Sequence, residues 1–150
     1  MADVRIRPAV QAERRALEAL QRRASLHNPG DREALLAHPD AIDVPSAQID
    51  DGHVFVLEAA GSIKGFATVL PRADGNAELD ALFVEPDAWR LGFGRALVEH
   101  CATVARQRGV VALHVVGNPH ADTFYTSCGF ERIGTTDTRF GVGLLMRRPL

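Results

Sequence analysis

Lysine is nearly missing from this 150-residue sequence: of its 17 cationic side chains one is a lysine, Lys64, and the other 16 are arginines. Covalent catalysis through a lysine amine therefore has one candidate, whereas the planar guanidinium forks suit phosphate or carboxylate partners. Cysteine is equally sparse. Cys101 and Cys128 have no CxxC or Cys/His cluster around them, so the reading contains neither a disulfide framework nor a metal site, only two buried or half-buried free thiols. No window approaches the roughly 18 consecutive apolar residues of a membrane span. The stretch Met1-Ala2-Asp3-Val4-Arg5 lacks the apolar segment of a signal peptide, and a cytoplasmic protein is the expectation. Net charge is also scant: 17 positive against 19 negative side chains leave −2, which argues against broad binding to nucleic acid or to an anionic membrane. What remains is 46% hydrophobic and 24% charged, free of repeats and low-complexity segments. That balance predicts one compact domain over residues 1–150 with a substantial core.

The hydrophobic periodicity orders the elements. Residues 4–8 read as a short strand. From Gln11 to Leu26, Leu17, Leu20 and Ala24 recur at helical spacing among Glu and Arg. Asp31 is placed to cap a helix from Arg32 to Ala37, which must stop before Pro39. Residues 38–52 read as loop with about one helical turn after Pro45. Val54–Glu58 and Phe66–Leu70, joined through Ala60-Gly61-Ser62, read as a hairpin, and Glu78–Val84 follows as a third strand that Pro86 stops. A helix is expected from Arg95 to Arg108. The apolar run Val110–Val116 suggests a central strand covered on both faces. Asn118-Pro119 opens a helix through Ser127, and Phe130–Thr135 and Phe140–Met146 close the sheet.

The chemistry concentrates in two segments. The first is Leu82-Phe83-Val84-Glu85-Pro86, followed by Trp89-Arg90-Leu91-Gly92-Phe93-Gly94-Arg95 at the mouth of a helix. Two glycines spaced by one residue there let backbone N–H groups converge on an anion, with the helix dipole adding to the attraction. A phosphate or pyrophosphate fits. The segment is not a dinucleotide fingerprint, because the third glycine would fall at Leu97, and no Gly-Lys-Ser/Thr follows to make a P-loop. The second segment, about 24 residues on, is Asn118-Pro119-His120-Ala121-Asp122-Thr123-Phe124-Tyr125 and then Cys128-Gly129-Phe130.

Together, over roughly residues 53–146, these segments resemble the GNAT superfamily of acetyl-CoA-dependent N-acetyltransferases. The resemblance implies a GNAT-like α/β (α+β) single domain: a mixed, mostly antiparallel sheet flanked by helices and splayed between its fourth and fifth strands, where 78–84 meets the parallel strand 110–116. It also implies a bulge in the first motif strand. Leu82, Phe83 and Val84 would pair with the pantetheine arm of acetyl-CoA as an added strand would, while Arg90, Leu91, Gly92, Phe93, Gly94 and Arg95 would hold its pyrophosphate. Asn118 would bond the coenzyme arm, Phe124 would border it, and Tyr125 would sit by the thioester sulfur and protonate the departing thiolate. Trp89 stands where the family often has Gln or Arg. Acetyl-CoA is the implied cosubstrate, without a metal.

Acetyl transfer to an amine needs a neutral nucleophile, a polarised carbonyl and a proton for the thiolate, and positioning supplies much of the rate. For the base, Glu78 and Asp80 alternate on the same face of the strand as Leu82, and they rank ahead of His120 and His53. Charge is uneven along the chain: residues 31–58 hold seven acids against Arg32, a sum of −6, while residues 90–108 hold four arginines against Glu99, a sum of +3. The acidic stretch suggests an amine acceptor, small molecule or peptide, attracted as a cation. The expected reaction is direct attack by a primary amine in a ternary complex. The alternatives are a non-catalytic acyl-CoA-binding or sensing module on the same fold, and a protein that uses the glycine loop for another diphosphate. Any homodimer is expected to form through the C-terminal strands.

Overall fold

The computed structural model describes residues 3–150, with residues 29 and 30 described by backbone alone; Met1 and Ala2, part of the N-terminal stretch read above, lie outside. Seven strands form one sheet in the order β1-β2-β3-β4-β5-β7-β6, comprising β1 (Val4–Pro8), β2 (Val54–Ala59), β3 (Ser62–Pro71), β4 (Ala77–Val84), β5 (Ala112–Gly117), β6 (Glu131–Thr138) and β7 (Gly141–Pro149). All neighbours are antiparallel except β4 and β5. The helices are α1 (Arg14–His27), α2 (Pro29–Ala37), α3 (Ser46–Asp50), α4 (Phe93–Gln107) and α5 (Asp122–Ser127). Among the described residues, no helix is long and apolar enough to cross a membrane.

The sheet separates two cores. On one face, Leu97, Val98, Cys101 and Ala105 of α4 pack on Phe55, Leu57, Ala67 and Val69, joined by Phe130 and Met146. On the other, Leu17 and Leu20 of α1 meet Val54, Val56 and Phe66. The unbroken run Val54-Phe55-Val56-Leu57 is thereby explained, since alternate residues serve opposite cores and all four are buried. The same logic does not carry to β5. There Leu113 and Val115 are buried, but Val116 on the opposite face is 42% exposed and His114 half-buried. The apolar run predicted two covered faces, but α1 packs over β4, and the β5 face that carries Val116 stays open.

Two local boundaries also moved. Helix α2 starts at Pro29, because proline suits a first helical position. Asp31 therefore lies in the first turn instead of capping it. Helix α4 starts at Phe93, two residues earlier than its periodicity indicated, because Gly92 takes a left-handed conformation (φ 81°) at the cap.

The largest departure from a regular strand is in β4. Thr68 of β3 faces Ala81, yet its neighbour Val69 faces Leu79, so Asp80 is an extra residue with no partner across the ladder. The bulge reverses the alternation beyond it. Ala77 and Leu79 enter the α4 core, and so do Leu82 and Val84, whereas Ala81 and Phe83 turn toward α1.

Both cysteines are free and buried. Burial pushes the Cys101 thiol up from 9.0 to about 12. A thiol that ionises more easily in the unfolded chain leaves stability intact below pH 9 and removes it as pH rises toward 12. Between pH 8 and pH 10 we expect Cys101 to account for a loss of about 1.4 kcal/mol. Denaturant melts of Cys101→Ala should start from lower stability at pH 8 but decline less steeply than wild type; parallel slopes would contradict this.

Candidate active site

Strands β4 and β5 pair in parallel only at Ala77 with Leu113 and at Glu78 with His114. Beyond that point β4 follows β3 while β5 follows β7, and the edge of β4 from Leu79 to Val84 is left without a strand beside it. A cavity of about 540 Å³ opens there, bordered by Leu82, Phe83 and Val84 on one side, by the start of α4, and by Phe124 and Tyr125 of α5. The cleft exists because the two strands belong to different halves of the sheet and each keeps its own antiparallel partner. An exposed β edge facing a cavity offers main-chain donors and acceptors to an extended ligand.

The helix mouth at one end of this cavity is built from strain and small size. Arg90 has a positive φ of 72° and Gly92 one of 81°, so the chain doubles tightly before α4, with Gly92 and Gly94 on the cavity wall. Gly94 is needed for a different reason: a Cβ there would stand 3.2 Å from Cζ of Phe124. Arg90, Gly92, Phe93, Gly94 and Arg95 all line the cavity, while Leu91 does not and is 64% exposed.

Two side chains at the mouth are already engaged. Arg95 donates to the Ser127 carbonyl oxygen at 2.9 Å and to its Oγ at 3.0 Å, bracing α4 against α5. The Trp89 indole donates to the Val84 carbonyl oxygen at 2.8 Å. Trp89 is thus a strut between the loop and the end of β4, and the Val84 carbonyl is taken by it. Arg90, exposed and on the cavity wall, is the guanidinium left to meet an anion by charge.

At the opposite end the Tyr125 ring is held on three sides. It lies over Gly117, where a Cβ would be 3.3 Å from Cδ2, and meets Phe124 and Phe130 edge-on at 5.2 and 5.5 Å. Burial first, with Cys128 and Asp31 adding to it, pushes its phenol well above the usual tyrosine range. It is a phenol kept protonated.

Asn118 serves the chain as well as the cavity region. Its Oδ1 accepts from the His120 amide at 2.9 Å, capping the turn Pro119–Ala121, and its Nδ2 donates to Asp31 Oδ1 at 2.7 Å. It lines two smaller cavities rather than the main one. Asp31 lines all three. The sequence flagged Asp31 only as a helix-start residue and as one of seven acids in the stretch 31–58, because the partner that orients it is 87 residues away.

Glu78 and Asp80 stand apart from the main cavity, which neither of them lines. The expectation that both share a face with Leu82 is corrected by the bulge: Leu82 joins Ala77 and Leu79 in the α4 core, and Glu78 lies on the opposite face. Burial raises the Glu78 carboxyl above the usual range, with neighbouring Asp80 adding and Arg72, 3.9 Å away, opposing. Asp80 is raised by desolvation of its carboxyl, although the residue as a whole keeps much of its surface in solvent. Of the histidines, His120 lines the main cavity, whereas His53 lies against Arg108 at 3.4 Å.

Three of the seven acids in the stretch 31–58 are paired with an arginine. Asp43 pairs with Arg14 at 3.2 Å, Asp40 with Arg139 at 3.5 Å, and Glu58 accepts from Arg7 at 2.9 Å. The second of these ties the β6–β7 turn to the loop after α2, where Phe140 also meets His38 edge-on at 5.4 Å. Of the seven acids in the stretch, Asp31 is the one on the cavity walls.

No curated protein matches the sequence. Solved structures do share the fold. PaiA N-acetyltransferase from Thermoplasma acidophilum, solved with coenzyme A, aligns with a TM-score of 0.77 at 16% identity over 99% of both chains. A GCN5-related N-acetyltransferase from Rhodopseudomonas palustris aligns at 0.78 and 19% identity, over 100% of this chain and 98% of that one. The ribosomal-protein-S18-alanine N-acetyltransferase from Escherichia coli aligns at 0.71 and 24% identity, over 98% and 94%. A family model, that of the Acetyltransferase (GNAT) family, matches residues 15–130. That span takes in α1, the bulged β4, the glycine mouth of α4 and Tyr125, and the chain accordingly belongs to the GNAT acetyltransferase family.

Proposed function

We propose that the protein is an N-acetyltransferase that moves an acetyl group from acetyl-CoA to a primary amine by direct attack in a ternary complex. The observation that carries this reading is continuity: one cavity runs from the glycine mouth of α4, along the open edge of β4, to Tyr125. Its parts fit the cosubstrate. Arg90 and the amides from Gly92 to Gly94 suit a pyrophosphate, the main chain of Leu82 and Phe83 suits the amides of a pantetheine arm, and Phe124 and Val84 suit its apolar stretches. When bound, acetyl-CoA supplies an electrophilic carbonyl carbon and a thiolate leaving group.

The chain's own residues then manage protons. The amine nitrogen forms a bond to the acetyl carbon as the carbon–sulfur bond breaks. Tyr125 Oη gives its proton to the departing sulfur, and burial leaves the phenol carrying that proton before the reaction. The proton lost by the amine passes to Glu78 or Asp80. Since neither carboxylate lines the cavity, that route runs through water, and their raised pKa values make them better bases than ordinary carboxylates.

Two measurements test the reading. Calorimetry should show binding of coenzyme A in preference to ATP and NAD. With acetyl-CoA and a panel of primary amines, free thiol should appear in step with acetylated amine. Preference for either nucleotide would point to another diphosphate ligand, and coenzyme binding without thiol release would point to a non-catalytic acyl-CoA-binding module.

A further inference from the structure

We propose that Asp31 seats the ammonium group of the acceptor, and that the acceptors are primary amines with an apolar body and no carboxylate beside the nitrogen. The inference rests on the acetyl-transfer reading and deepens it. Asp31 is where the three cavities meet. The main cavity touches a second of about 210 Å³ through Asp31 and Phe83, and a third of about 470 Å³ through Asp31 and His120. A group bound at Asp31 is thus beside the Tyr125 end of the coenzyme cavity.

The charge around Asp31 defines what it accepts. It is the only carboxylate on the walls of the three cavities, and among the described residues the second and third contain no arginine or lysine. Its partner in the protein is Asn118, a neutral amide that fixes one carboxylate oxygen at 2.7 Å without cancelling the charge. A half-buried carboxylate held in one orientation and lacking a cation is complemented by a cationic ligand. An α-amino acid would set its own carboxylate close to Asp31, where Arg139, over the Phe140 ring, is already paired with Asp40, a repulsive arrangement that selects against it.

The second cavity describes the rest of the acceptor. Leu35, Ile42 and Phe140 give this recess an apolar side leading away from Asp31, and Gln21, Ser25 and Asn118 give it a polar one. Phe140 is held there by His38, and Arg139 lies over its ring at 5.3 Å. An aliphatic or aromatic body of modest size fills this recess.

The test compares three acceptors by thiol release: 2-phenylethylamine, which is protonated at neutral pH, L-phenylalanine, which adds a carboxylate, and aniline, which is neutral. For wild type, kcat/KM should be higher for 2-phenylethylamine than for phenylalanine by roughly 100-fold or more. Asp31→Asn, which preserves the shape and can still accept from Asn118, should raise KM for 2-phenylethylamine by about 10- to 100-fold while leaving aniline within about twofold. Asp31→Glu should recover part of the preference for the cation. Thermal melts should coincide for all three proteins and report that the fold is intact.

Equal effects of Asp31→Asn on the charged and the neutral amine would make Asp31 a structural partner of Asn118 and overturn the proposal. So would a wild type that prefers phenylalanine, or one that binds coenzyme A yet releases no thiol with 2-phenylethylamine. A wild type that does not bind coenzyme A at all overturns the acetyl-transfer reading as well.

Discussion

Tyr125→Phe is expected to lower kcat by about 100- to 10,000-fold, the usual worth of a positioned general acid, while coenzyme A binds as before. The asymmetry follows from what the substitution removes. Phenylalanine keeps the ring that packs on Gly117, Phe124 and Phe130, so the wall of the cavity is unchanged. Only Oη is lost, and a proton donor matters in the transition state, where charge builds on sulfur, more than in the bound ground state. The pH profile offers a second readout. Because burial holds the phenol above its usual range, Tyr125 stays protonated past the ordinary tyrosine value of about 10, and its ionisation should impose no fall in kcat below that pH. An unchanged kcat in Tyr125→Phe would show that the thiolate leaves without this proton.

Gly94→Val is expected to weaken coenzyme A binding by roughly tenfold to a hundredfold, the equivalent of the 1–3 kcal/mol that overpacking usually costs. A Cβ at Gly94 would already stand 3.2 Å from Cζ and 3.4 Å from Cε1 of Phe124. The branched methyls of valine need more room, and the ring must move into the cavity it now borders. The same side chain sits in the first turn of α4, over the amides that face the anion. Calorimetry with coenzyme A measures the loss, and a thermal melt separates it from unfolding, since Gly94 is not in the buried core. Unaltered affinity would place the pyrophosphate somewhere other than this helix mouth.

Much of this molecule could be read from its sequence because the signals are local. The β-forming run Val54–Leu57, the 3.6-residue period of α1 and α4, and glycine before a helix each depend on a few adjacent residues, and each produced the element expected. The readings that changed depend on partners far along the chain. Arg95 looked available to phosphate until Ser127 engaged it, and Trp89 stood out only as a departure from the family pattern until its bond to the Val84 carbonyl made it a strut. Val116 looked covered until α1 proved to pack over β4 and to leave that face of β5 open.

The base candidates show the same divide most clearly. By alternation alone Glu78, Asp80 and Leu82 share a face, but one extra residue at Asp80, visible only in the pairing with Thr68 and Val69, reverses the order. The arginine-rich, lysine-poor composition likewise indicated anion binding without saying which arginine, and the acidic stretch indicated a cationic acceptor without saying which acid. Composition and periodicity determined the elements, the glycine turn before α4 and the single tyrosine, because backbone preference and hydrophobic period are properties of neighbouring residues. Which side chains reach a common cavity was decided only by the tertiary structure. Strand register, the bulge and ion pairs spanning dozens of residues set the direction of each side chain, and no local stretch of sequence contains them.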